Sequence, residues 1–127
     1  YVYDFLKELD PDRLVIEEDG EAVGLIDLFN FAPQHRRAEL GIALLREAQG
    51  RGLAQQAIAD IVNYARDVVG IHQIYAIVSA SNNDSVRMLQ RFGFTCRNEL
   101  EDWLWTGENY EKALVMQLFL GKMKKKC

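Results

Sequence analysis

The apolar residues of this chain change period along its length. Leu14-Val15-Ile16, Ala22 to Phe29 and Ala38 to Leu45 are short runs of β-branched and aliphatic side chains, which predicts three strands. Asp19-Gly20 separates the first two runs and is a strong hairpin signal. Asn30 to Arg37, with Pro33, is a polar return, so the three strands form a meander. From Ala54 the period becomes helical: Ala54, Ala57, Ile58, Ile61, Val62, Ala65, Val68 and Val69 make the stripe of an amphipathic helix packed on a sheet. Gly70 ends that helix, and Gln73 to Ser79 reads as a buried strand reached by a parallel crossover. Ser81-Asn82-Asn83-Asp84 is a capping cluster ahead of Val86, Met88, Leu89 and Phe92, which predicts a second, short helix closed by Gly93. Phe94 to Leu100 and Ala113 to Leu120 are the last strands, joined by Trp103-Leu104-Trp105 and a Gly107-Glu108-Asn109 turn. At the start, Val2, Phe5, Leu6 and Leu9 share one helical face that ends at Asp10-Pro11. Lys122 to Lys126 read as a solvated tail.

The pattern is that of one α/β domain. At 127 residues and 49% apolar composition the chain is long enough for one real core and too short for two. A net charge of -4 argues against nucleic acid as a partner and leaves cationic partners such as amines electrostatically reasonable. Cys96 and Cys127 form neither a disulfide framework nor a metal-ligand spacing, so no metal is expected and a reducing cytoplasm is the simpler location. No run of 18 apolar residues exists, so no membrane partner is expected. The chain starts at Tyr1 without signal-peptide zones, which suggests a piece of a longer gene product.

Chemistry concentrates where the third strand feeds through Gln49-Gly50-Arg51-Gly52 into the long helix. A strand-to-helix turn with glycines leaves backbone N–H groups aimed at one spot, backed by the positive end of the helix dipole, and such a spot suits phosphate. The loop is not a dinucleotide fingerprint, which would need glycine at Gln55, nor a P-loop, which would need Lys-Ser/Thr where Leu53-Ala54 stand.

Gln49-x-x-Gly52-x-Ala54 resembles the pyrophosphate loop of the GNAT superfamily of acetyl-CoA-dependent N-acetyltransferases. Asn82-x-x-Ser85 followed by Gly93-Phe94 is similar to the family's cofactor-side helix, and Glu39, ten residues before Gln49, is similar to its strand glutamate. His35 to Leu40 and the Trp103 to Tyr110 hairpin most resemble bacterial spermidine acetyltransferases and ribosomal-protein N-terminal acetyltransferases. The resemblance implies a mixed, splayed sheet flanked by helices, with the family's N-terminal strand and most of its first two helices outside this chain. It implies direct transfer from acetyl-CoA to a primary amine, either a polyamine such as spermidine or a protein N-terminus. Pantetheine would lie along a strand edge like an added strand. The implied cofactor-binding residues are Ile42, Ala43, Leu44, Gln49, Gly50, Arg51, Gly52, Leu53, Ala54, Asn82 and Ser85. Glu39 is the implied base, with pairing to Arg36 or Arg37, or a carboxylate pointing to solvent, as its bland alternative.

The leaving thiolate is where the sequence departs from the spermidine pattern. Leu89 occupies the position of that branch's tyrosine, which leaves Ser85 as the nearest hydroxyl by motif position. Asn30 stands where spermidine-like sequences tend to carry a carboxylate. A CoA-binding or interaction module without catalysis is the competing class, motivated by Leu89. Trp103 and Trp105 alternate, and a dimer contact within a homo-oligomer, an acceptor wall and a core role are all open to them. His72 reads as a helix-end histidine, His35 as a surface loop residue, and Cys96 has no base partner in the sequence.

Overall fold

The computed structural model describes residues 2–3, 13–50 and 52–121. Seven strands form one sheet: β1 (Val2–Tyr3), β2 (Arg13–Glu18), β3 (Glu21–Ala32), β4 (Arg37–Leu44), β5 (Gln73–Ser79), β6 (Thr95–Trp105) and β7 (Tyr110–Phe119). Their spatial order is β1-β2-β3-β4-β5-β7-β6. All neighbours are antiparallel except β4 and β5, which run parallel as the crossover requires. Among the described residues two α-helices flank the sheet, α1 (Leu53–Tyr64) and α2 (Asn83–Arg91).

Local chemistry accounts for most boundaries. Asp19 (φ 53°) and Gly20 (φ 84°) both adopt positive φ, the geometry a two-residue hairpin needs to match strand twist. Gly70, also left-handed at φ 82°, stops the long helix, and its N–H bonds the Ala65 carbonyl at 2.9 Å. The last turn, Ala65–Val69, is π-helical, where unbroken α-helix is the expectation from the apolar stripe.

Two expectations are corrected. Helix is predicted from residue 1, but Val2 and Tyr3 pair with Ile16 and Val15 of β2. A nine-residue amphipathic segment is too short to hold a helix on its own, and the β2 edge offers backbone partners that local periodicity cannot outweigh. The rest of that segment, residues 4–12, lies outside the described residues, as do Lys122–Lys126 and Cys127. Trp103-Leu104-Trp105, read as a connector, belongs to β6, which runs on through a bulge at residues 100–104, where Asp102 has φ 50°.

The core lies on one face of the sheet. Ile16, Ile26, Ala38, Leu40, Ile74, Ala76 and Met116 meet Ala57, Ile58 and Ile61 of α1 and Leu89 of α2. Burying each large aliphatic there contributes roughly 1.5–3 kcal/mol. Strand alternation sends Glu39 and Gly41 of β4, and Tyr75 of β5, to the opposite face. Everything that bears on function lies on that face or where β4 and β5 part.

Candidate active site

β4 and β5 pair over only three rungs, Arg37 with Gln73, Ala38 with Ile74 and Glu39 with Tyr75. Beyond Glu39 the strands separate, β4 continuing to Leu44 along β3 and β5 to Ser79 along β7. The backbone edge of β4 from Leu40 to Leu44 therefore faces an opening instead of a strand. Two connected spaces fill it. A cleft of ≈ 630 Å³ is lined by Ile42, Ala43, Leu44, Gln49, Gly50, Gly52 and Ala54 on one side and by Asn82, Ser85, Arg87, Met88 and Arg91 on the other. A smaller cavity of ≈ 280 Å³ holds Glu39, Leu40, Gly41, Ser79 and Leu89, and it shares Ile42, Asn82, Ser85 and Met88 with the cleft.

The outer end of the cleft is made of backbone. Gly50 and Gly52 have φ of 81° and 80°, and Gly52 caps α1 with no side-chain hydrogen bond. The first helical bond runs from Gln56 N–H to the Gly52 carbonyl at 3.1 Å, so the N–H groups of Leu53, Ala54 and Gln55 precede the helical ladder. The first turn of α1 carries no acidic residue. A side chain at Gly50 would meet nothing within 4 Å, and one at Gly52 only Gln55 Oε1 at 3.7 Å, so the loop presents an open concavity. Donors, dipole and open space suit an anion. Gln49 takes another part than ligand contact through its amide: its Nε2 donates to the Leu44 carbonyl at 3.1 Å and ties the loop to the strand end.

α2 supplies the opposite wall. Asn82 Oδ1 accepts from Ser85 N–H at 3.2 Å, so the asparagine of the motif is an N-cap as well as a cleft residue. Asp84, Arg87, Met88 and Arg91 follow at i, i+3, i+4 and i+7 and turn one helix stripe towards the glycine loop. Sequence reasoning missed the two arginines, although that spacing was there to be read. Arg87 Nη2 is 2.8 Å from Asp84 Oδ1, an exposed pair that contributes little to stability.

The inner end of the opening is made of side chains. Asn30, at φ 54° in a bulge of β3, donates from Nδ2 to Glu39 Oε1 at 3.0 Å. Tyr75 is the rung neighbour of Glu39 across β4 and β5, and its pKa is raised above the usual tyrosine value, first by burial and then by the charge of Glu39. Arg36, one suggested partner of Glu39, instead donates to the Gly70 carbonyl at 3.3 Å. Asp27, 8% exposed, lies on the same face, and its Oδ1 occupies the space a Gly41 side chain would need, 2.6 Å from the missing Cβ. Two hydroxyls line the inner cavity. Ser79 Oγ donates to Glu111 Oε1 at 2.7 Å, whereas Ser85 lines both spaces.

Glu39, Ser85, Asn82, Ile42, Ala43, Leu44, Gln49, Gly50, Gly52 and Ala54 thus line one opening. Leu53 does not line it with its side chain, and Arg51 lies outside the described residues. Leu89 is buried in the core at 2% exposure while lining the inner cavity. Trp103 and Trp105 are 53% and 61% exposed, which removes a core role for them. Cys96 is free and exposed, and the His72 ring packs on Phe119, both away from the two spaces.

The acetyltransferase (GNAT) domain profile matches residues 4–95. The chain belongs to the GNAT acetyltransferase family. A spermidine N(1)-acetyltransferase of Escherichia coli is 34% identical over 107 residues, covering 84% of this chain and 58% of that protein. Its counterpart in Vibrio cholerae is 26% identical over 129 residues, covering 94% and 75%. A dodecameric structure of spermidine N-acetyltransferase from Vibrio cholerae superposes with a TM-score of 0.81 at 25% identity, covering 90% of this chain and 68% of that one. The parting of β4 from β5 and the sheet around it are therefore those of a GNAT fold, and the chain spans rather more than half the length of its Escherichia coli relative.

Proposed function

We propose that this chain is the catalytic part of an acetyl-CoA-dependent N-acetyltransferase acting on a primary amine. One observation carries the reading: the cavity that holds Glu39 shares Ile42, Asn82, Ser85 and Met88 with the cleft that ends at the uncapped α1 N-terminus. A carboxylate able to take a proton and a concavity suited to phosphate thus face one opening. Bound acetyl-CoA supplies the acetyl group as a thioester open to attack by an amine.

The residues of the chain do the rest. The N–H groups of Leu53, Ala54 and Gln55 hold the pyrophosphate, with Arg87 and Arg91 adding positive charge from the facing helix. The β4 edge from Leu40 to Leu44 offers donors and acceptors to the pantetheine amides as a neighbouring strand would. Glu39 accepts the proton of the amine, directly or through a water. Ser85 is the hydroxyl donor for the leaving thiolate, because the Ser79 proton is committed to Glu111.

For the acceptor, the net charge of -4, Glu39 at the opening and the spermidine acetyltransferase relatives favour a cationic amine of the polyamine class. Leu89 in place of a tyrosine favours the second reading, a peptide N-terminus. Exposed Trp103, Trp105 and Tyr110, together with the dodecameric Vibrio relative, favour a homo-oligomer, and free Cys96 fits a reducing cytoplasm. Among the described residues no helix is long and apolar enough to cross a membrane. Incubation of the full chain with acetyl-CoA and either spermidine or a short peptide with a free N-terminus, followed by thiol detection, tests the reading. Acetyl-CoA binding with no CoA released by any amine would leave a non-catalytic CoA-binding module.

A further inference from the structure

Glu39 can act as a base only if its carboxylate is aimed. A glutamate side chain has three rotatable bonds, and ordering it costs rotamer freedom. Asn30 meets part of that need from β3, through the 3.0 Å bond that its left-handed conformation makes reachable. The other flank of Glu39 is β5. There Tyr75 is its rung partner at the last pair before the strands separate, so the two side chains stand on the same face at the vertex of the opening. The described charged and titratable groups around the phenol on that face are Glu39 and Arg37 on β4 and Asp27 on β3. β5 and β7 bring the neutral Gln73 and Gln117 beside it.

We propose that Tyr75 is a positioning residue for Glu39: its phenol donates to the carboxylate from the β5 side as Asn30 does from the β3 side, so that the remaining lone pairs face the amine. The inference rests on the reading of Glu39 as base. Burial and the Glu39 charge keep the phenol protonated, so it stays a donor across the working pH range.

Tyr75→Phe deletes one oxygen and keeps the ring. With the full chain, acetyl-CoA and an accepted amine, the variant is expected to lose about tenfold in kcat with KM for the amine nearly unchanged. Its acetyl-CoA affinity by calorimetry should match the parent, and in a Glu39→Gln background the substitution should cost nothing further. A kcat like the parent's, a further loss in the Glu39→Gln background, or a fall in kcat matched by an equal fall in acetyl-CoA affinity overturns the role of Tyr75. The two readings separate cleanly: a Glu39→Gln kcat like the parent's removes the base itself, whereas a kcat lowered by Glu39→Gln and untouched by Tyr75→Phe removes only the clamp.

Discussion

The two ends of the opening are built on different principles. At the glycine loop the working groups are backbone N–H donors from residues contiguous in the chain, and the side chains chiefly stay out of the way. At the vertex the groups presented are side chains of Asn30, Glu39 and Tyr75, delivered by three strands and brought together only by sheet register. A site made of backbone tolerates most side-chain changes except those that fill its space or reverse its potential. A site made of side chains depends on individual atoms. Substitutions at the two ends should therefore fail differently, one in cofactor binding and the other in turnover.

The sharpest test fills the loop with the wrong charge. Gly52→Asp places a carboxylate at the α1 N-terminus; aspartate tolerates the left-handed backbone better than most residues, and its Cβ meets only Gln55 Oε1 at 3.7 Å. Two like charges about 4 Å apart near a protein surface repel by about 4 kcal/mol, or roughly 10³-fold in affinity. Calorimetry should show acetyl-CoA binding lost while the melting temperature stays close to that of the parent. Parent-like affinity in this variant would mean that the pyrophosphate lies elsewhere.

At the other end, Glu39→Gln keeps shape and removes basicity. The expected outcome is a fall of about 10²-fold in kcat with acetyl-CoA affinity intact, the reverse of the loop variant. The deficit should shrink as pH rises and the acceptor amine loses its proton unaided. Equal losses in binding and turnover would dissolve the contrast between the two ends.

The same contrast explains what the sequence made legible. The loop could be read because its donors lie within six residues and glycine spacing leaves a local trace; the α1 stripe and the Asp19-Gly20 turn are local in the same way. Asn30 and Tyr75 left no such trace as partners of Glu39. They lie 9 residues before it and 36 after it, and a bulge in β3 and a three-rung parallel ladder decide that they meet. β1 was misread for a related reason, since its pairing with β2 is non-local while its apolar spacing imitates a helix. Gln49 lines the cleft, but its bond to the Leu44 carbonyl depends on the fold of the turn.

Ser85 lies between the two ends and should behave as a compromise. Ser85→Ala is expected to lower kcat about tenfold and leave acetyl-CoA affinity nearly unchanged, because a CoA thiolate leaves moderately well without a strong acid. Leu89→Tyr is a poor rescue. Leu89 is buried at 2% exposure within the core, so a larger ring there costs about 1–3 kcal/mol through overpacking before its hydroxyl can help. Thermal melting of the Leu89→Tyr variant separates this cost from any gain in rate. No loss of rate in Ser85→Ala would hand the thiolate to another donor, such as a water.

The smallest effect concerns stability at high pH and isolates the vertex from the rest of the sheet. Tyr75 has a folded pKa above its ordinary value near 10, chiefly because burial disfavours phenolate and secondly because Glu39 is negative beside it. For a group whose folded pKa is raised, the stabilising contribution is complete below the unfolded pKa and is lost as pH climbs through the folded one. The parent should therefore show no Tyr75-linked change in melting temperature up to about pH 9 and a progressive fall above about pH 10. Tyr75→Phe cannot ionise at that position and should fall less steeply over the same window, with the other tyrosines common to both proteins. Parallel alkaline slopes would place the phenol in water-like surroundings, which is incompatible with a clamp on Glu39, whereas a shallower slope in the variant shows that the phenol is held protonated where the sheet buries it.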